Sequence, residues 1–493
     1  WYVESVWVKD GPGTGKVVAD WMTDGRVEVD PHGIDFARYY PFQKEADYIE
    51  ARSYETAFKV YNPPVHNREP YTAARNLRQS PFYEREVELG GYFMEAAGWE
   101  RAHGYASNEH LLEKWGDKVP ERKAEWDNRH FWRVSNAEHL EMSENVGMIN
   151  LSHFAIYDIT GADAEALMEY TCVAKVGGDT PVGKGVYTHF LDHEGGVRAD
   201  LTVLRLGDNH YRVIDGGDAG NRDYIWMKRM AEDKGLSVDI QERTTDFGCI
   251  GLWGPNARTT LQAVADNPDE LTVENFPFAA IRDITVNDTP VTAFRISYVG
   301  EQGWELHFKY DDGLALWDTL YGQGVTPVGI ETYANSRRLE KCLRLQNADL
   351  KVDYNLMEAD LARPKVKAAD FYGKEAYVAQ RERAHQPAYL CTMTMTGNTD
   401  ANGVARYPVG HLPIMDPETG KTLVDEAGRR SYVTSVAYGP SVGKNICLGY
   451  LPYAYCEEGR TLNIQYFDEI YPVKVESVGY KPLYDPKNER PKS

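Results

Sequence analysis

One carboxylate stands out in a strand-like part of the chain. Asp200 lies in the run LDHEGGVRADLTV, and residues 197–206 are rich in β-branched and apolar residues, which predicts a strand. Gly195 and Gly196, just before it, predict a hairpin turn. The carboxylate of Asp200 therefore either meets a ligand or lies on the solvated face of the strand. The pattern alone favours the solvated face, because half-buried strands alternate polar and apolar residues.

A second acidic residue occupies another tight turn. Residues 291–298 (VTAFRISY) predict a strand, and residues 304–310 predict its partner. Between them, the sequence Gly-Glu-Gln-Gly places Glu301 in a short turn. By pattern alone, Glu301 is typical of a solvated turn residue.

Two other motifs are weak. The sequence GPGTGK resembles a phosphate-binding loop, but the first glycine of that motif would fall on Asp10, and the residue after Lys16 is Val17 instead of serine or threonine. A turn whose backbone N–H groups approach an anion or a cofactor remains open there. His189 and His193 lie on a strand end and its turn, where their spacing does not bring them onto one helical face. We therefore expect no metal site.

The composition disfavours two classes of binding partner, nucleic acids and membranes. The 493 residues carry a formal net charge of −21 at pH 7, which disfavours nucleic acid because no basic stripe is present to contact phosphates. The same charge disfavours anionic membrane surfaces, and no run of about 18 apolar residues predicts a membrane span. The six cysteines are scattered without C-x-x-C spacing, which is typical of reduced thiols in the cytoplasm, or in the mitochondrial matrix of a eukaryote.

The strands and helices predicted around these residues indicate an α+β fold with several domains. From Gly147 onward, short strands alternate with helices, starting with the strand MINLSHFAIYDIT at 148–160. No G-x-G-x-x-G stands between a strand and a helix, so no dinucleotide-binding half is predicted. Residues 387–493 contain short strands separated by Gly, Pro and Asp turns, which is typical of a small β-barrel or jelly-roll-like domain.

The beginning of the chain is unusual. It starts at Trp1 with the strand-like WYVESVWV, without methionine or a signal peptide, and we interpret it as the later part of a longer polypeptide. A glycine-rich turn at 11–16 and a short helix at 17–24 are predicted next, followed by a helix at 47–58.

Several separated stretches together resemble one family. They are WYVESVWVKDGPGTGKVVADWMTDG, NLRQSPFYEREVELGGYFMEAAGWER, LDHEGGVRADLTV, IGLWGPNAR, ISYVGEQGWEL and PLYDPK. These runs are similar to the folate-dependent demethylating flavoenzymes, the family of dimethylglycine oxidase and the dimethylglycine and sarcosine dehydrogenases. The part from about residue 106 onward also resembles the aminomethyltransferase (T-protein) of glycine cleavage, which binds tetrahydrofolate among three packed subdomains.

The resemblance implies four regions. Residues 1–46 would be the end of an FAD-dependent oxidoreductase module, and 47–105 a connecting segment. Residues 106–386 would form an aminomethyltransferase-like folate-binding domain of packed subdomains around a central cavity, and 387–493 the C-terminal β-barrel domain.

The resemblance also implies a folate site. It places Asp200 at the catalytic carboxylate position and Glu301 on the pterin-binding turn. The other implied tetrahydrofolate contacts are Tyr187, Thr202, Ile214, Tyr298, Gln302 and Gly303. An ionised carboxylate only accepts hydrogen bonds, so Glu301 would take two neighbouring N–H donors of a reduced pterin as a bidentate pair. The implied FAD contacts are Val8, Lys9, Asp10 and Gly11, with the rest of the flavin site in a preceding segment or a partner subunit.

The implied reaction is N-demethylation coupled to one-carbon transfer. FAD would oxidise an N-methyl amine of the dimethylglycine or sarcosine type to an iminium, and tetrahydrofolate would capture the one-carbon unit as 5,10-methylenetetrahydrofolate. Asp200 would accept or position a proton and stabilise the cationic iminium. Two alternatives stay open: a stand-alone folate-dependent methyl- or aminomethyltransferase without flavin, and a folate-binding protein without catalysis.

Overall fold

The computed structural model describes residues 8–25, 27, 31–61, 66 and 68–493, and the structural statements below refer to these residues. The predicted strand at the start of the chain falls almost entirely on residues 1–7, outside the described residues. The α-helices are α1 (Gly11–Asp24), α2 (Ala46–Tyr61), α3 (Tyr83–Glu88), α4 (Leu111–Trp115), α5 (Glu125–Asn128), α6 (Arg133–Glu144), α7 (Ala164–Thr171), α8 (Gly220–Lys234), α9 (Ala257–Val264), α10 (Gly313–Gly322), α11 (Arg338–Glu340) and α12 (Lys374–Arg381), and a π-helix (Thr332–Arg337) runs directly into α11.

The strands form four sheets. They are β1 (Gly91–Ala96), β2 (Trp99–Tyr105), β3 (Gly147–Asn150), β4 (Ala155–Thr160), β5 (Lys184–Leu191), β6 (Val197–Gly207), β7 (His210–Asp215), β8 (Asp239–Glu242), β9 (Phe247–Trp253), β10 (Ile281–Val286), β11 (Thr289–Phe294), β12 (Gly303–Lys309), β13 (Thr326–Pro327), β14 (Ala388–Met395), β15 (Ile414–Met415), β16 (Val433–Gly439), β17 (Lys444–Pro452), β18 (Thr461–Tyr466) and β19 (Glu469–Val478). We call the sheet β5-β6-β7-β4-β8 the aspartate sheet, and β10-β11-β12-β9-β3-β13 the glutamate sheet. The C-terminal sheet has the order β15-β18-β19-β14-β17-β16, and β1 pairs with β2 alone.

The glycine-rich segment near the start is helical, contrary to the predicted turn at 11–16. Helix α1 begins at Gly11 and continues without interruption to Asp24. Pro12 stands in the first turn, where its fixed φ suits a helix and its missing N–H costs no hydrogen bond. Gly25 ends the helix with φ +68° and donates its N–H to the Trp21 carbonyl.

The single strand predicted over 148–160 is two strands in two different sheets. β3 belongs to the glutamate sheet and β4 to the aspartate sheet. Between them, the Asn150 side chain accepts a hydrogen bond from the Ser152 backbone N–H at 3.0 Å, which turns the chain. This turn directs one continuous apolar segment from the first sheet into the second.

Each of the two sheets buries one face under helices. On the aspartate sheet, Ala199, Leu201 and Val203 of β6 belong to a core with α7 and α8. On the glutamate sheet, Trp304 and Leu306 of β12 belong to a core with α9 and α10. Because successive strand residues point to opposite faces, the acidic residues between these positions lie on the other face of each sheet.

The two sheets meet at a close contact that requires glycine. A Cβ on Gly185 of β5 would overlap the ring of Phe294 at the end of β11. Leu204, Ile214 and Ile281 complete a small shared core around Phe294. The faces that carry the acidic residues are therefore held next to one another.

The C-terminal sheet is antiparallel and has its own buried core, built from residues such as Met393, Ile464 and Val473. Its first strand begins at Ala388. The predicted α+β class with a C-terminal β-domain is confirmed. None of the described helices combines the length and the apolar character needed to cross a membrane.

Candidate functional site

Asp200 lies on the face of the aspartate sheet that α7 and α8 leave uncovered. The β5–β6 hairpin turns at Gly195, whose φ of +82° is a conformation that glycine adopts without strain. The register of the hairpin places His189 opposite Asp200 and Tyr187 opposite Thr202. These four side chains therefore form one polar patch on one face.

Asp200 lies in an environment that favours its neutral form. It is half-buried, and burial raises its pKa to about 7, although the hydrogen bond with the Tyr187 hydroxyl acts in the opposite direction. The same hydroxyl lies 3.1 Å from Nε2 of His189. Burial, together with Arg363 and Arg344, lowers the pKa of His189, so its ring is neutral near pH 7. Because Tyr187 donates its only proton to Asp200, we assign the imidazole N–H to Nε2.

Glu301 is buried in the structure and is engaged by two arginines. This residue is 1 % exposed, and its Oε1 accepts a hydrogen bond from Nη2 of Arg337 at 2.6 Å. Nε of Arg490 lies 2.8 Å from Oε2 and 3.0 Å from Oε1. Burial raises the pKa of Glu301, and the two arginines act against that shift. Both oxygens of Glu301 are thus engaged by guanidinium groups, and a direct pterin contact from Glu301 stays a prediction.

The next two residues shape the turn. Nε2 of Gln302 donates to the carbonyl oxygen of Pro255. Gly303 has a φ of +149°, and a Cβ there would overlap the carbonyl oxygen of Leu252 on β9. A direct folate contact from either Gln302 or Gly303 stays a prediction.

The same hairpin carries a second carboxylate that the sequence analysis missed. Glu305 lies on β12, opposite Gly251 of β9 and Phe294 of β11, and is 8 % exposed. Its Oε2 lies 3.4 Å from Nε2 of His307. In the part of the chain that the structure describes, no lysine or arginine forms an ion pair with Glu305. The signal available in the sequence was the alternation in WELHF, where the charged Glu305 stands between the apolar residues Trp304 and Leu306.

Two tyrosines connect the carboxylates of the two sheets. The ring centroids of Tyr298 and Tyr333 are 4.9 Å apart. Burial raises the pKa of Tyr333, and the charges of Glu305 and Asp200 raise it further. Burial also raises the pKa of Tyr298, and Asp200 again contributes. Asp200 and Glu305 therefore act on one hydroxyl, that of Tyr333, and belong to one site.

The remaining implied folate positions lie beside Asp200. Thr202 pairs with Tyr187 on one side and with Ile214 on the other, so the three form a row across β5, β6 and β7. Ile214 is 5 % exposed and packs with Phe294 in the shared core between the sheets. The structure thus brings Tyr187, Thr202, Ile214 and Tyr298 to the Asp200 site.

The implied FAD contacts lie at the start of the described chain, where three of the four residues are exposed. Val8 is 96 % exposed, and Nζ of Lys9 forms an ion pair with Asp10 at 2.8 Å. Nothing lies within 4 Å of a Cβ placed on Gly11. The FAD contacts of these four residues stay predictions.

One group of side chains could hold a metal ion, although the sequence analysis expected no metal site. Ligand atoms of Cys249, Glu305 and His307 lie within 4.8 Å of one another. Cys249 faces His307 across the β9–β12 pairing, which no spacing along the chain could indicate. Burial raises the pKa of Cys249, so the thiol stays protonated in the absence of a metal.

Comparisons with known proteins agree with this architecture. Residues 82–366 match the model of the GCVT N-terminal domain, residues 24–80 that of the FAD dependent oxidoreductase central domain, and residues 410–485 that of the glycine cleavage T-protein C-terminal barrel domain. The aminomethyltransferase T of the glycine cleavage system from Bartonella henselae shares the fold, with a TM-score of 0.66 and 21% sequence identity over 83% of this chain and 99% of that one. This likeness confirms the predicted T-protein-like arrangement.

Two curated relatives match at a higher level of identity. The mitochondrial dimethylglycine dehydrogenase of Rattus norvegicus is 28% identical over 94% of this chain and 51% of its own length. The mitochondrial sarcosine dehydrogenase of Homo sapiens is 29% identical over 77% of this chain and 45% of its own length. The chain thus spans about half the length of the curated relatives it matches. It belongs to the GCVT-domain family, in the group that includes the dimethylglycine and sarcosine dehydrogenases.

Proposed function

We propose that this chain catalyses the folate-dependent half of an N-demethylation. In this proposal, the one-carbon unit of the iminium of an oxidised N-methyl amine, of the dimethylglycine or sarcosine type, passes to tetrahydrofolate and gives 5,10-methylenetetrahydrofolate. Amine oxidation by FAD takes place in a preceding segment or a partner subunit. The match of residues 24–80 to an FAD dependent oxidoreductase domain supports this coupling.

The chemistry of the donor set fits a reduced pterin. Such a ring presents its amino group and ring N–H groups side by side, which a carboxylate accepts as a bidentate pair. Among the described residues, no lysine or arginine forms an ion pair with Glu305, and Tyr333, which packs on Tyr298, supplies aromatic surface near it. We therefore assign to Glu305 the role that the sequence analysis gave to Glu301. Thr202, Tyr187 and Ile214 would border the ring on the aspartate sheet.

Asp200 is the group that would handle the proton. Tetrahydrofolate, when bound, supplies the nitrogen atoms that receive the one-carbon unit. A general base works best when its pKa lies near the working pH, and burial raises the pKa of Asp200 to about 7. The hydrogen bonds from His189 to Tyr187 and from Tyr187 to Asp200 would hold the carboxylate in one orientation. In its ionised form, Asp200 would also attract a cationic substrate.

The residues described at the beginning of the chain do not by themselves fit a flavin. Val8, Lys9 and Asp10 are exposed, and nothing lies within 4 Å of a Cβ placed on Gly11. We propose that Val8, Lys9, Asp10 and Gly11 contact the flavin only when the remainder of its site is present. The six free cysteines support the proposal of a reducing compartment, the cytoplasm or a mitochondrial matrix.

The single observation that carries the proposal is the contact between the two sheets at Phe294, which pairs with Glu305 on β12 and packs with Ile214 beside Thr202. We expect calorimetric titration to show binding of tetrahydrofolate to the chain, and Glu305→Gln to weaken it at least about tenfold through loss of a charge-assisted pair. Glu301→Gln is the matched control on the same hairpin and should keep the affinity. Equal affinities of the wild type and Glu305→Gln would remove Glu305 from the site.

A second candidate is a folate-dependent aminomethyltransferase without flavin. The fold shared with the T-protein over 83% of the chain favours it. An absorbance spectrum of the complete protein separates the two. Flavin bands that bleach on addition of dimethylglycine or sarcosine support the coupled reaction, whereas a colourless protein that transfers one-carbon units supports the second candidate.

A further inference from the structure

One buried arginine close to Asp200 has an unused hydrogen-bonding edge. Arg344 is 3 % exposed, and its Nη1 donates to the carbonyl oxygen of Cys342 at 2.7 Å. Its Nε and Nη2 are buried and have no hydrogen-bond partner among the described residues. These two N–H groups form the side of the guanidinium that binds a carboxylate in bidentate geometry.

Arg344 belongs to the same site as Asp200. The Tyr298 hydroxyl donates to the backbone carbonyl oxygen of Arg344. The charges of Asp200 and Arg344 act in opposite directions on the hydroxyls of both Tyr187 and Tyr298. The carboxylate and the guanidinium therefore flank the same two tyrosines.

Arg344 differs from the neighbouring arginines, which form ion pairs with carboxylates. Arg337 forms an ion pair with Glu301 at 2.6 Å, and Arg338 forms one with Asp349 at 2.8 Å. In the ranges that the structure describes, no carboxylate lies within ion-pair distance of Arg344. A buried cation without a counter-charge is unfavourable unless a ligand supplies the charge.

Arg363 is a second cation near the site, and a backbone carbonyl oxygen already accepts a hydrogen bond from it. Arg363 donates through Nη2 to the backbone carbonyl oxygen of Tyr187, and so it holds the strand that carries this tyrosine. Burial lowers the pKa of Arg363. Among the described arginines around Asp200, the open bidentate edge belongs to Arg344.

We propose that Arg344 binds the carboxylate of the N-methyl amino acid, which is then held with its nitrogen towards Asp200 and its carboxylate on Arg344. This inference rests on the proposed function and names the residue that positions its substrate. A site with a negative group on one side and a positive group on the other matches a molecule with a cationic nitrogen and a carboxylate. An amine without a carboxylate would leave the cation of Arg344 buried and unpaired.

The test uses the chain saturated with tetrahydrofolate and two probes of similar size. N,N-dimethylglycine carries a carboxylate, and N,N-dimethylaminoethanol has a hydroxyl in its place. We expect calorimetry to show tighter binding of dimethylglycine, and Arg344→Gln to weaken it at least about tenfold while binding of the amino alcohol stays the same. Arg344→Lys keeps the charge but loses the planar edge and should give an intermediate affinity.

The control is Arg383→Gln, which removes one positive charge from an exposed turn and should leave both affinities unchanged. A titration with 6-methyltetrahydropterin, which lacks the glutamate tail of folate, separates the two possible sources of a carboxylate. If Arg344→Gln weakens tetrahydrofolate but not this pterin, Arg344 holds the tail and the inference is overturned. Dimethylglycine binding that is insensitive to Arg344→Gln also overturns it. Absence of tetrahydrofolate binding in the wild type would instead refute the proposed function.

Discussion

Two acidic residues on similar glycine-containing hairpins have opposite environments. Asp200 has a hydroxyl donor, Tyr187, as its partner, and burial raises its pKa to about 7. Glu301 is enclosed by two guanidinium groups, which act against the rise of its pKa that burial causes. A carboxylate whose charge is already compensated has little affinity left for a ligand, whereas one with a weak partner can change its protonation state.

Replacement of Asp200 by asparagine tests its assigned role in the complete flavin-containing enzyme. We expect Asp200→Asn to lower folate-coupled product formation by about 10²–10⁴-fold, the usual contribution of a general base, and to leave the rate of amine oxidation intact. The wild-type coupled rate should rise as the pH passes about 7, because Asp200 ionises there, and the variant should lack this rise. Product analysis on both sides of pH 7 measures this, and an equal loss of both activities would contradict the assignment.

At the scale of the elements, the site depends on how closely the two sheets approach. The aspartate sheet and the glutamate sheet share one small core at Phe294, and Gly185 is the position where β5 makes room for this ring. The contact holds β5 against β11, and the face of Glu305 packs in addition against Met142 of α6 and Tyr333 of the π-helix. A change at the contact should therefore affect stability and the site together.

The matched substitutions are Gly185→Ala and Gly322→Ala. An added methyl at Gly185 collides with Phe294, and we expect it to lower the free energy of unfolding by about 1–3 kcal/mol and to weaken folate binding. Nothing lies within 4 Å of a Cβ at Gly322 in α10, where alanine should be neutral or stabilising by up to about 1 kcal/mol. Chemical denaturation measures both, and an unaffected Gly185→Ala would mean that the sheets do not meet at this point.

At the scale of the whole molecule, a buried ionic network joins distant parts of the chain. Glu301 lies in the turn before β12, Arg337 at the end of the π-helix, and Arg490 close to the C-terminal end of the described chain. Arg490 also donates to the backbone carbonyl oxygen of Ser143 in α6. Four segments far apart in sequence are thus fixed around one carboxylate.

Glu301→Gln tests whether this network is structural. Loss of the charge leaves two buried guanidinium groups without their partner, and we expect the free energy of unfolding to fall by about 3–5 kcal/mol. Folate affinity should stay nearly unchanged, because Glu301 does not face the ligand in our assignment. Denaturation and calorimetry on the same preparation measure the two effects. A stable variant with weak folate binding would restore Glu301 as a ligand contact.

The sequence by itself determined the α+β class, the C-terminal β-domain and the strand face that Asp200 shares with Thr202. Strand periodicity is local information and gives this shared face, whereas the pairing of Thr202 with Tyr187 is seen only in the structure. The role of Asp200 and the family came from the resemblance of several runs taken together. The same local reasoning predicted one strand over 148–160 instead of two, because alternation does not reveal a change of sheet.

Only the tertiary structure showed which of the two glutamates forms ion pairs with arginines. Glu301 and Glu305 stand on one hairpin, four residues apart, and differ in what approaches them from elsewhere in the chain. Arg337 and Arg490 reach Glu301 from 36 and 189 residues away, whereas Oε2 of Glu305 has Nε2 of His307, on the same strand, at 3.4 Å. The two unpaired N–H groups of Arg344 are likewise visible only in the tertiary structure. Whether a buried charge has a partner depends on long-range packing, which no spacing along the chain specifies.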